Sequence, residues 1–492
     1  MVVIVAVLLP LLLGLVLVLR PGTSQKTSAV TLLVGAVLSG LAALLAVLTS
    51  AQVTLSWLPE LGIALALRSD GLSAPLVLLT AGIGVLLGVY GLRRMPSHGA
   101  PGTFAGLLLI VLGGALATFL AGDAVLFFVA FETVLIPMWV IIARFGDDHD
   151  PQARREAASR FVLFTVTGSS LMLIGILALV VRTGTADLSV LPGLAASLPR
   201  STQVLIAALL TLGLAIKVPV WPLHAWLPPA HTTAPTAGSV VLAAILLKMG
   251  TYGLLRLPVL TVPEGFAVVA PVLAVFGVVG ILWGGLVCLL ERDLKRLIAY
   301  SSVAHMGFVS LALATGSAAG IRAAAYGNIA HGVISAMLFF TVGSLKDRWG
   351  SADLEQQHRP LRDTWPKLGF ALVLGLAASL GLPGLAGFWG EFLAMYAAWS
   401  GADGHLHPGV WRASAGLAAV GAALAAAYAL RVLRLVWVGD AVPDQRAPDE
   451  GDADPAETLV MGTLGIGVVL LGIAPWPLLA VTGTALRAIG GG

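Results

Sequence analysis

Residues 207–231 read AALLTLGLAIKVPVWPLHAWLPPAH, an apolar run that is interrupted by a lysine and several prolines. The run belongs to an apolar segment near 203–221, and a helix that crosses a membrane needs about 20 such residues. Pro219 and Pro222 each remove a backbone donor and clash with the preceding turn, so the helix is predicted to break beside Lys217. Such a break is tolerated at membrane depth only where the backbone is buried or lines a wet cavity.

The composition of the whole chain is that of a membrane protein. Of its 492 residues, 58% are hydrophobic and 11% are charged, whereas soluble proteins carry about 25% charged residues. The net charge of +3 is too small to argue for a nucleic-acid partner. Residues 1–19 lack a basic segment and are interpreted as a retained first helix rather than a signal peptide. The segments that qualify as spans lie near 2–19, 28–49, 71–92, 103–121, 123–143, 160–181, 203–221, 238–257, 265–290, 296–316, 320–345, 367–398, 413–437 and 457–482.

Lysine and arginine are distributed unevenly over the loops between these fourteen segments. Nineteen of the 28 basic residues follow odd-numbered segments, and seven lie in the other loops or at the C-terminal end. Because cytoplasmic loops carry the excess of positive charge, both termini are predicted to lie on the non-cytoplasmic side. The remaining two, Lys217 and Lys248, lie inside predicted spans.

A second interrupted helix predicts an internal repeat. Residues 381–387, GLPGLAG, lie within the twelfth segment and are five segments beyond the first break. Since five is odd, a five-helix unit repeated once must be inverted, and inverted repeats with broken helices surround ion and substrate sites in transporters. Two packing kinks are the alternative interpretation. The predicted fold class is all-α, integral to the membrane, and divided into an N-terminal three-helix segment 1–102, repeats 103–257 and 258–438, and a cytoplasmic loop with a C-terminal helix at 439–492.

Ionisable residues lie near the middle of several predicted spans. Each acid or lysine at the centre of a bilayer costs at least about 2.5 kcal/mol, so these groups must pair with one another or face water. Burial disfavours the charged form of lysine and glutamate alike, and both can then exchange protons near neutral pH, where histidine already titrates. The candidate site residues for proton transfer are Glu132, Lys217, Lys248, His305, His331 and Glu391.

These charges admit two interpretations. In the functional one, Lys217 pairs with Glu132, and separation of the pair makes the lysine release a proton; the alternative is a set of static salt bridges. His224 and His231 lie near the first break, but no carboxylate or cysteine is close to them in the sequence. We expect water or backbone partners for both histidines rather than a metal ion, and the sequence predicts no metal site.

Three stretches of the chain carry a resemblance to a known family. Residues 217–240 read KVPVWPLHAWLPPAHTTAPTAGSV, residues 246–253 read LLKMGTYG, and residues 292–307 read RDLKRLIAYSSVAHMG. Together they resemble the signature of the antiporter-like membrane subunits of respiratory complex I, the NADH–quinone oxidoreductase. The resemblance covers nearly the whole chain, except that the first two segments and the last one match only in hydropathy.

Within that family the chain looks most like the M-type, mitochondrial subunit-4-like, branch. The features are residues 304–308 (AHMGF), residues 328–335 (NIAHGVIS) and Glu391, where the L-type and N-type branches look like lysine. The resemblance implies that Glu132 and Lys217 form a coupling pair. It also implies that Lys248 and His305 carry protons across the middle and that Glu391 ends the relay, with His331 a weaker assignment.

The resemblance also implies a setting for this chain. It would be a proton-translocating subunit of the complex and neighbour to L-type and N-type membrane subunits, and it would bind no nucleic acid. The Ala-, Gly- and Val-rich composition of the chain indicates a bacterial inner membrane rather than a mitochondrion. FMN, iron–sulfur clusters and the quinone would lie on partner subunits. The single cysteine, Cys288, independently excludes a four-cysteine cluster, a thiolate zinc site and an intrachain disulfide.

Three rival interpretations remain at the level of the sequence. A multisubunit Na⁺/H⁺ antiporter would share the fold and the Lys217 and Lys248 motifs, although Glu391 and the His305 segment weigh against it. A membrane-bound hydrogenase or formate-oxidising complex would use the same pump module with another electron donor. A passive membrane scaffold would need the buried charges only for assembly.

Overall fold

The computed structural model describes residues 1–96, 99–147, 149–356, 359–404, 407–439 and 451–489, most of which are helical. The helices of the N-terminal half are α1 Val2–Leu19, α2 Gln25–Leu48, α3 Ala74–Gly91, α4 Pro101–Leu120, α5 Ala124–Thr133, α6 Leu135–Phe145, α7 Pro151–Thr183, α8 Leu191–Ala195, α9 Arg200–Lys217, α10 Leu227–Thr233, α11 Thr236–Val241 and α12 Leu247–Leu254. Those of the C-terminal half are α13 Pro263–Leu290, α14 Leu294–Ala314, α15 Ala318–Trp349, α16 Leu361–Thr364, α17 Pro366–Ser379, α18 Ala386–Ser400, α19 Pro408–Val432, α20 Pro455–Ile473 and α21 Trp476–Ile489.

The all-helical membrane fold is confirmed. Among the described residues, 13 helical stretches are long and apolar enough to cross a membrane, and some of them join consecutive helices, such as α5 with α6 at Ala124–Phe145. The remaining predicted span is the interrupted pair α17 and α18. The predicted end of the last span at residue 482 is wrong, because α20 stops at Ile473. Pro475 then prevents the helix from continuing, and α21 begins as a separate helix. Most of the predicted loop at 439–456, namely residues 440–450, lies outside the described residues.

Both predicted helix breaks are present. After α9 ends at Lys217, residues 218–226 form turns, and the indole N–H of Trp226 donates to the carbonyl oxygen of Ile216 at 2.8 Å. This bond satisfies a carbonyl that the end of the helix leaves open. Residues 380–385 separate α17 from α18, and Gly381 has a φ of +74°, which favours glycine.

A β-hairpin that the sequence analysis did not predict follows α2. Strand β1, Gln52–Leu58, pairs antiparallel with strand β2, Ile63–Arg68. Gly62 lies in the turn with a φ of +64°, and a Cβ there would be 2.3 Å from the Gly184 carbonyl oxygen. The hairpin therefore packs directly against the loop that follows α7.

Two ion pairs between described residues join helix ends that the predicted topology puts at the same membrane surface. Arg68 pairs with Asp187 at 3.0 Å, and both follow even-numbered spans. Arg348 pairs with Glu457 at 2.8 Å, and both lie at ends that the basic-residue count puts in the cytoplasm. Charged side chains at opposite membrane surfaces could not meet, so the observed partners support the predicted order of the helices.

The centre of the bundle is formed by three spans that are almost entirely buried inside the chain, at Thr236–Val259, Leu294–Ala314 and Ala318–Trp349. The outer helix α1, by contrast, has only 33% of its residues buried inside the chain, as a lipid-facing helix does. Polar side chains on the three central spans must therefore find their partners within the protein.

Candidate functional site

Lys248 lies at the start of α12 in the centre of the bundle, and its side chain is fully buried. A π-helical turn, Leu242–Leu246, comes directly before this helix. The Nζ atom of Lys248 donates to the carbonyl oxygen of Ala243 at 2.6 Å and lies 2.5 Å from Nδ1 of His331. Single π-helical turns inside α-helices are frequent at functional sites.

His331 on α15 and His305 on α14 continue the row from Lys248. Their ring centroids are 5.4 Å apart, and both side chains are buried. Nε2 of His305 lies 2.8 Å from the hydroxyl oxygen of Ser379, the last residue of α17 before the second break. The second helix interruption therefore places a polar group directly against a histidine of the central spans.

Glu391 on α18 completes the row, and Nδ1 of His305 lies 3.2 Å from its Oε1 atom. The distance suits an ion pair, but the angles are not those of a hydrogen bond, and Oε1 has no hydrogen-bond partner among the described residues. The carboxylate lies against the second break, where a Cβ on Gly381 would be 2.7 Å from Oε2. Glu391 and both histidines line one small cavity in this region.

Lys217 lies at the end of α9, where the negative end of the helix dipole favours a cation. Its side chain is buried, and its Nζ atom has no hydrogen-bond partner in the described part of the chain. The rings of Phe131 and Phe161 lie 5.2 and 5.4 Å from this nitrogen and stabilise its charge.

Glu132 is half-buried near the end of α5, beside Ser169 and within electrostatic range of Lys217. The predicted pair is not closed in this structure, because no ion pair shorter than 4.0 Å joins these two described residues. Lys217 and Ser169 line a gap that is too narrow for a water molecule. The helix is also interrupted at Val134, between α5 and α6 and two residues after Glu132.

The structure thus assembles four of the six candidate residues into a continuous row, in the order Lys248, His331, His305 and Glu391. Glu132 and Lys217 form a separate group. The two groups meet through backbone packing, since a Cβ on Gly250 of α12 would be 3.1 Å from Cβ of Lys217. No side-chain bond between described residues connects Lys217 to Lys248.

The sequence analysis did not include His231 among the candidate residues for proton transfer. It is fully buried on α10, its ring stacks on Phe339 with the centroids 4.4 Å apart, and neither ring nitrogen has a partner among the described residues. No backbone group binds either ring nitrogen of His231 in the described part of the chain, so the water partner that the sequence analysis also allowed stays a prediction. The ring lies within electrostatic range of both Lys248 and Lys295, a position that depends on how α10 packs and that no local pattern indicates.

An open cleft reaches this region from the end of the bundle that carries most of the basic residues. Lys295 lines the cleft together with Arg94, Asp147 and Lys346, and it donates to the carbonyl oxygen of Ala234. Partial burial would raise the pKa of Asp147, but hydrogen bonds, above all from Lys346, hold that pKa well below its usual range. In the described part of the chain, no group of three His, Cys, Asp or Glu side chains could hold a metal ion.

Comparison with known proteins places the chain in a family. The family described as "NADH:quinone oxidoreductase/Mrp antiporter, TM" matches residues 121–406, which is more than half of the chain. The chain belongs to this family. Both helix breaks and all six candidate residues lie within the matched range.

Members and solved structures of this family resemble the chain over most of its length. NAD(P)H-quinone oxidoreductase chain 4 1 of Synechococcus sp. (strain JA-3-3Ab) is 39% identical over 428 residues, which cover 86% of this chain and 79% of that protein. NADH-quinone oxidoreductase subunit M of Escherichia coli K12 is 35% identical over 441 residues, covering 88% and 84%. A chain of respiratory complex I from Thermus thermophilus with bound NADH matches with a TM-score of 0.86 and 29% identity, covering 100% and 99%.

Proposed function

We propose that this chain is a proton-translocating, antiporter-like membrane subunit of NADH–quinone oxidoreductase, respiratory complex I. The observation that carries the proposal is the buried row Lys248, His331, His305 and Glu391, which ends at the second helix break. Each member can gain and lose a proton, and neighbours in the row lie within one or two hydrogen-bond lengths of each other. Two of its relatives are named as parts of this kind of oxidoreductase, which supports an electron-transferring complex as the partner of this chain.

Protons reach the row from the open cleft. Lys295 connects the cleft to the interior, and His231 lies within electrostatic range of both Lys295 and Lys248. The two free ring nitrogens of His231 allow it to accept a proton on one side and to release one on the other. Glu391 is the last group of the row and releases the proton toward the opposite side.

Glu132 and Lys217 act as the switch. In the open arrangement seen here, Lys217 is held by aromatic rings alone and its charge is poorly compensated. If Glu132 closes on it, the carboxylate stabilises the charged lysine, and the field that Lys248 experiences changes with it. Because α12 packs on Lys217 through Gly250, a movement at the first break also reaches the helix that carries Lys248.

The proposal also covers the partner subunits of the chain and its orientation in the membrane. FMN, iron–sulfur clusters and the quinone lie on partner subunits, as the resemblance implies, and for the clusters the single buried cysteine, Cys288, supports this. The immediate partners are L-type and N-type antiporter-like subunits within a bacterial inner membrane. Both termini lie on the non-cytoplasmic side, as the distribution of basic residues predicts.

Inverted membrane vesicles test this function through NADH-driven proton uptake, with assembly of the complex verified for each variant. Lys248→Met should abolish uptake, because it removes the titratable group at the start of the row. Lys26→Met, at an exposed position of α2, is the matched control and should pump like the wild type. Normal pumping by an assembled Lys248→Met complex would show that the row does not carry the translocated protons. Wild-type uptake that does not depend on NADH would favour the antiporter or hydrogenase interpretation instead.

A further inference from the structure

The phenol of Tyr428 on α19 lies beside the row but belongs to none of the groups described so far. Its side chain is 1% exposed, and its hydroxyl has no hydrogen-bond partner of good geometry among the described residues. It lies next to the hydroxyls of Ser379 and Ser301. A phenylalanine would fill the same space without burying an unpaired polar atom, so packing alone does not account for a tyrosine here.

The hydroxyls around Tyr428 can form a chain of hydrogen bonds that starts at His305. Ser379 is 2.8 Å from Nε2 of His305, and Tyr428 lies beside both Ser379 and Ser301. Ser301 in turn donates to the carbonyl oxygen of Ile298 at 2.8 Å. Small rotations of the serine and tyrosine side chains close the remaining contacts.

The last member of this hydrogen-bond chain decides which group donates and which accepts at every step. The carbonyl of Ile298 can only accept, so Ser301 must donate to it, and the oxygen of Ser301 is then free to accept from Tyr428. Tyr428 in turn accepts from Ser379, which leaves the oxygen of Ser379 to accept from His305. Nε2 of His305 is therefore the donor, and Nδ1 is left without a proton.

We propose that Tyr428 is a positioning residue which, through Ser379, holds His305 in the tautomer whose free Nδ1 faces Glu391. This inference rests on the proposed function, because it assigns Tyr428 a part in the same proton transfer. Which nitrogen of a histidine carries the proton is set by the hydrogen bond that the other nitrogen makes. Nδ1 of His305 is the ring atom that lies 3.2 Å from Oε1 of Glu391, and a rotation of the carboxyl group would bring the two atoms into hydrogen-bond geometry.

The proton transfer balances with these groups alone. An N–H bond of protonated His331 breaks, and the proton forms an Nδ1–H bond that converts His305 to imidazolium while His331 returns to its neutral form. That bond then breaks as an O–H bond forms on Glu391, and the neutral tautomer with the proton on Nε2 returns. No electrons are transferred and no further reactant is needed. The other ionisable group near the phenol is the buried thiol of Cys288, which donates to the carbonyl oxygen of Leu297.

The test uses Tyr428→Phe in the assembled complex, in inverted vesicles that oxidise NADH. Without the phenol, Ser379 can donate to Nε2, and His305 takes the tautomer whose Nδ1 cannot accept. Loss of a partner that orients a metal-bound histidine typically costs about 10–100-fold in affinity or activity, and by analogy we expect proton uptake to fall roughly tenfold. The solvent deuterium isotope effect on NADH-driven uptake should rise, which a purely structural defect would not cause. Tyr396→Phe removes a phenol hydroxyl from a side chain that is 55% exposed and should leave both readouts unchanged.

A double-mutant cycle tests whether Tyr428 acts through Ser379. Ser379→Ala should reproduce the effect of Tyr428→Phe, and the double variant should be no worse than Ser379→Ala alone. If Tyr428→Phe does not assemble, normal pumping and a normal isotope effect in Ser379→Ala would overturn the proposal. Wild-type behaviour of Tyr428→Phe, or additive effects in the cycle, would also overturn it. Should Lys248→Met abolish uptake while Tyr428→Phe pumps normally, only this inference fails and the proposed function stands.

Discussion

Nζ of Lys248 and Nδ1 of His331 lie 2.5 Å apart at the centre of the bundle, although 83 residues separate them in the chain. Both side chains are buried, so the contact is not shared with solvent. A lysine and a histidine in contact can share one positive charge but hardly hold two, because like charges repel strongly in a medium of low polarity. The pair is therefore suited to passing a proton onward, and it connects α12 to the histidines of α15 and α14.

Substitution of His331 by glutamine should interrupt the row at its second member. Glutamine keeps a polar side chain but cannot be protonated, so NADH-driven proton uptake should fall by at least about tenfold, within the usual contribution of a proton-transfer group. The measurement is uptake per NADH oxidised in vesicles with verified assembly. The control is His407→Gln, since His407 is exposed directly before α19. Equal uptake in both variants would remove His331 from the path.

Glu132→Gln should uncouple the complex although Glu132 makes no direct ion pair in this structure. The substitution keeps the shape of the side chain but removes the charge that alternately compensates Lys217. Both proton uptake and coupled NADH–quinone turnover should collapse while the complex stays assembled. Glu156→Gln, at a side chain that is 54% exposed on α7, should behave like the wild type. Normal pumping by Glu132→Gln would show that the switch does not involve this carboxylate.

Gly381→Ala should damage the second break and displace Glu391. A Cβ at this position would lie 2.7 Å from Oε2 of Glu391, and the φ of +74° disfavours any side chain. We expect a loss of about 1–3 kcal/mol in stability from the backbone strain, together with reduced proton uptake. Thermal unfolding and vesicle assays measure the two effects. Gly82→Ala, where an added Cβ would meet open space, should change neither.

The ion pair between Asp147 and Lys346 should make stability depend on pH. Burial opposes the charge of Asp147, but the bond from Lys346 prevails and holds the pKa of this carboxyl below its usual range. Asp147 therefore stabilises the folded state above its unfolded pKa of about 3.9, and this contribution is lost as the pH falls below that value. Asp147→Asn should lower the unfolding temperature of the complex at pH 7, and the difference from the wild type should shrink below pH 4.

A control separates this effect from a general loss of surface charge. The side chain of Asp363 is 64% exposed, and Asp363→Asn should change the free energy of unfolding by less than about 0.5 kcal/mol at either pH. A constant difference between Asp147→Asn and the wild type across the whole pH range would show that the ion pair does not supply the stability.

Much of the fold followed from local patterns in the sequence. Hydropathy located the spans because a helix in lipid must satisfy its own backbone bonds and present apolar side chains along its whole length. The prolines after Lys217 and the glycines around residue 384 indicated both breaks, because they act on the backbone within one turn. The hairpin at residues 52–68 was missed because two short strands, the first of them almost entirely exposed, give no strong signal beside long apolar helices.

The sequence by itself determined which ionisable groups must be buried, since each lies in the middle of a span that has to cross the membrane. Only the tertiary structure decided how they are grouped. It joined Lys248 to His331 and His305 to Glu391, left Glu132 and Lys217 apart, and brought Tyr428 beside Ser379. The physical reason is that insertion depends on the hydropathy of each segment separately, whereas a contact between two side chains depends on how several helices pack together.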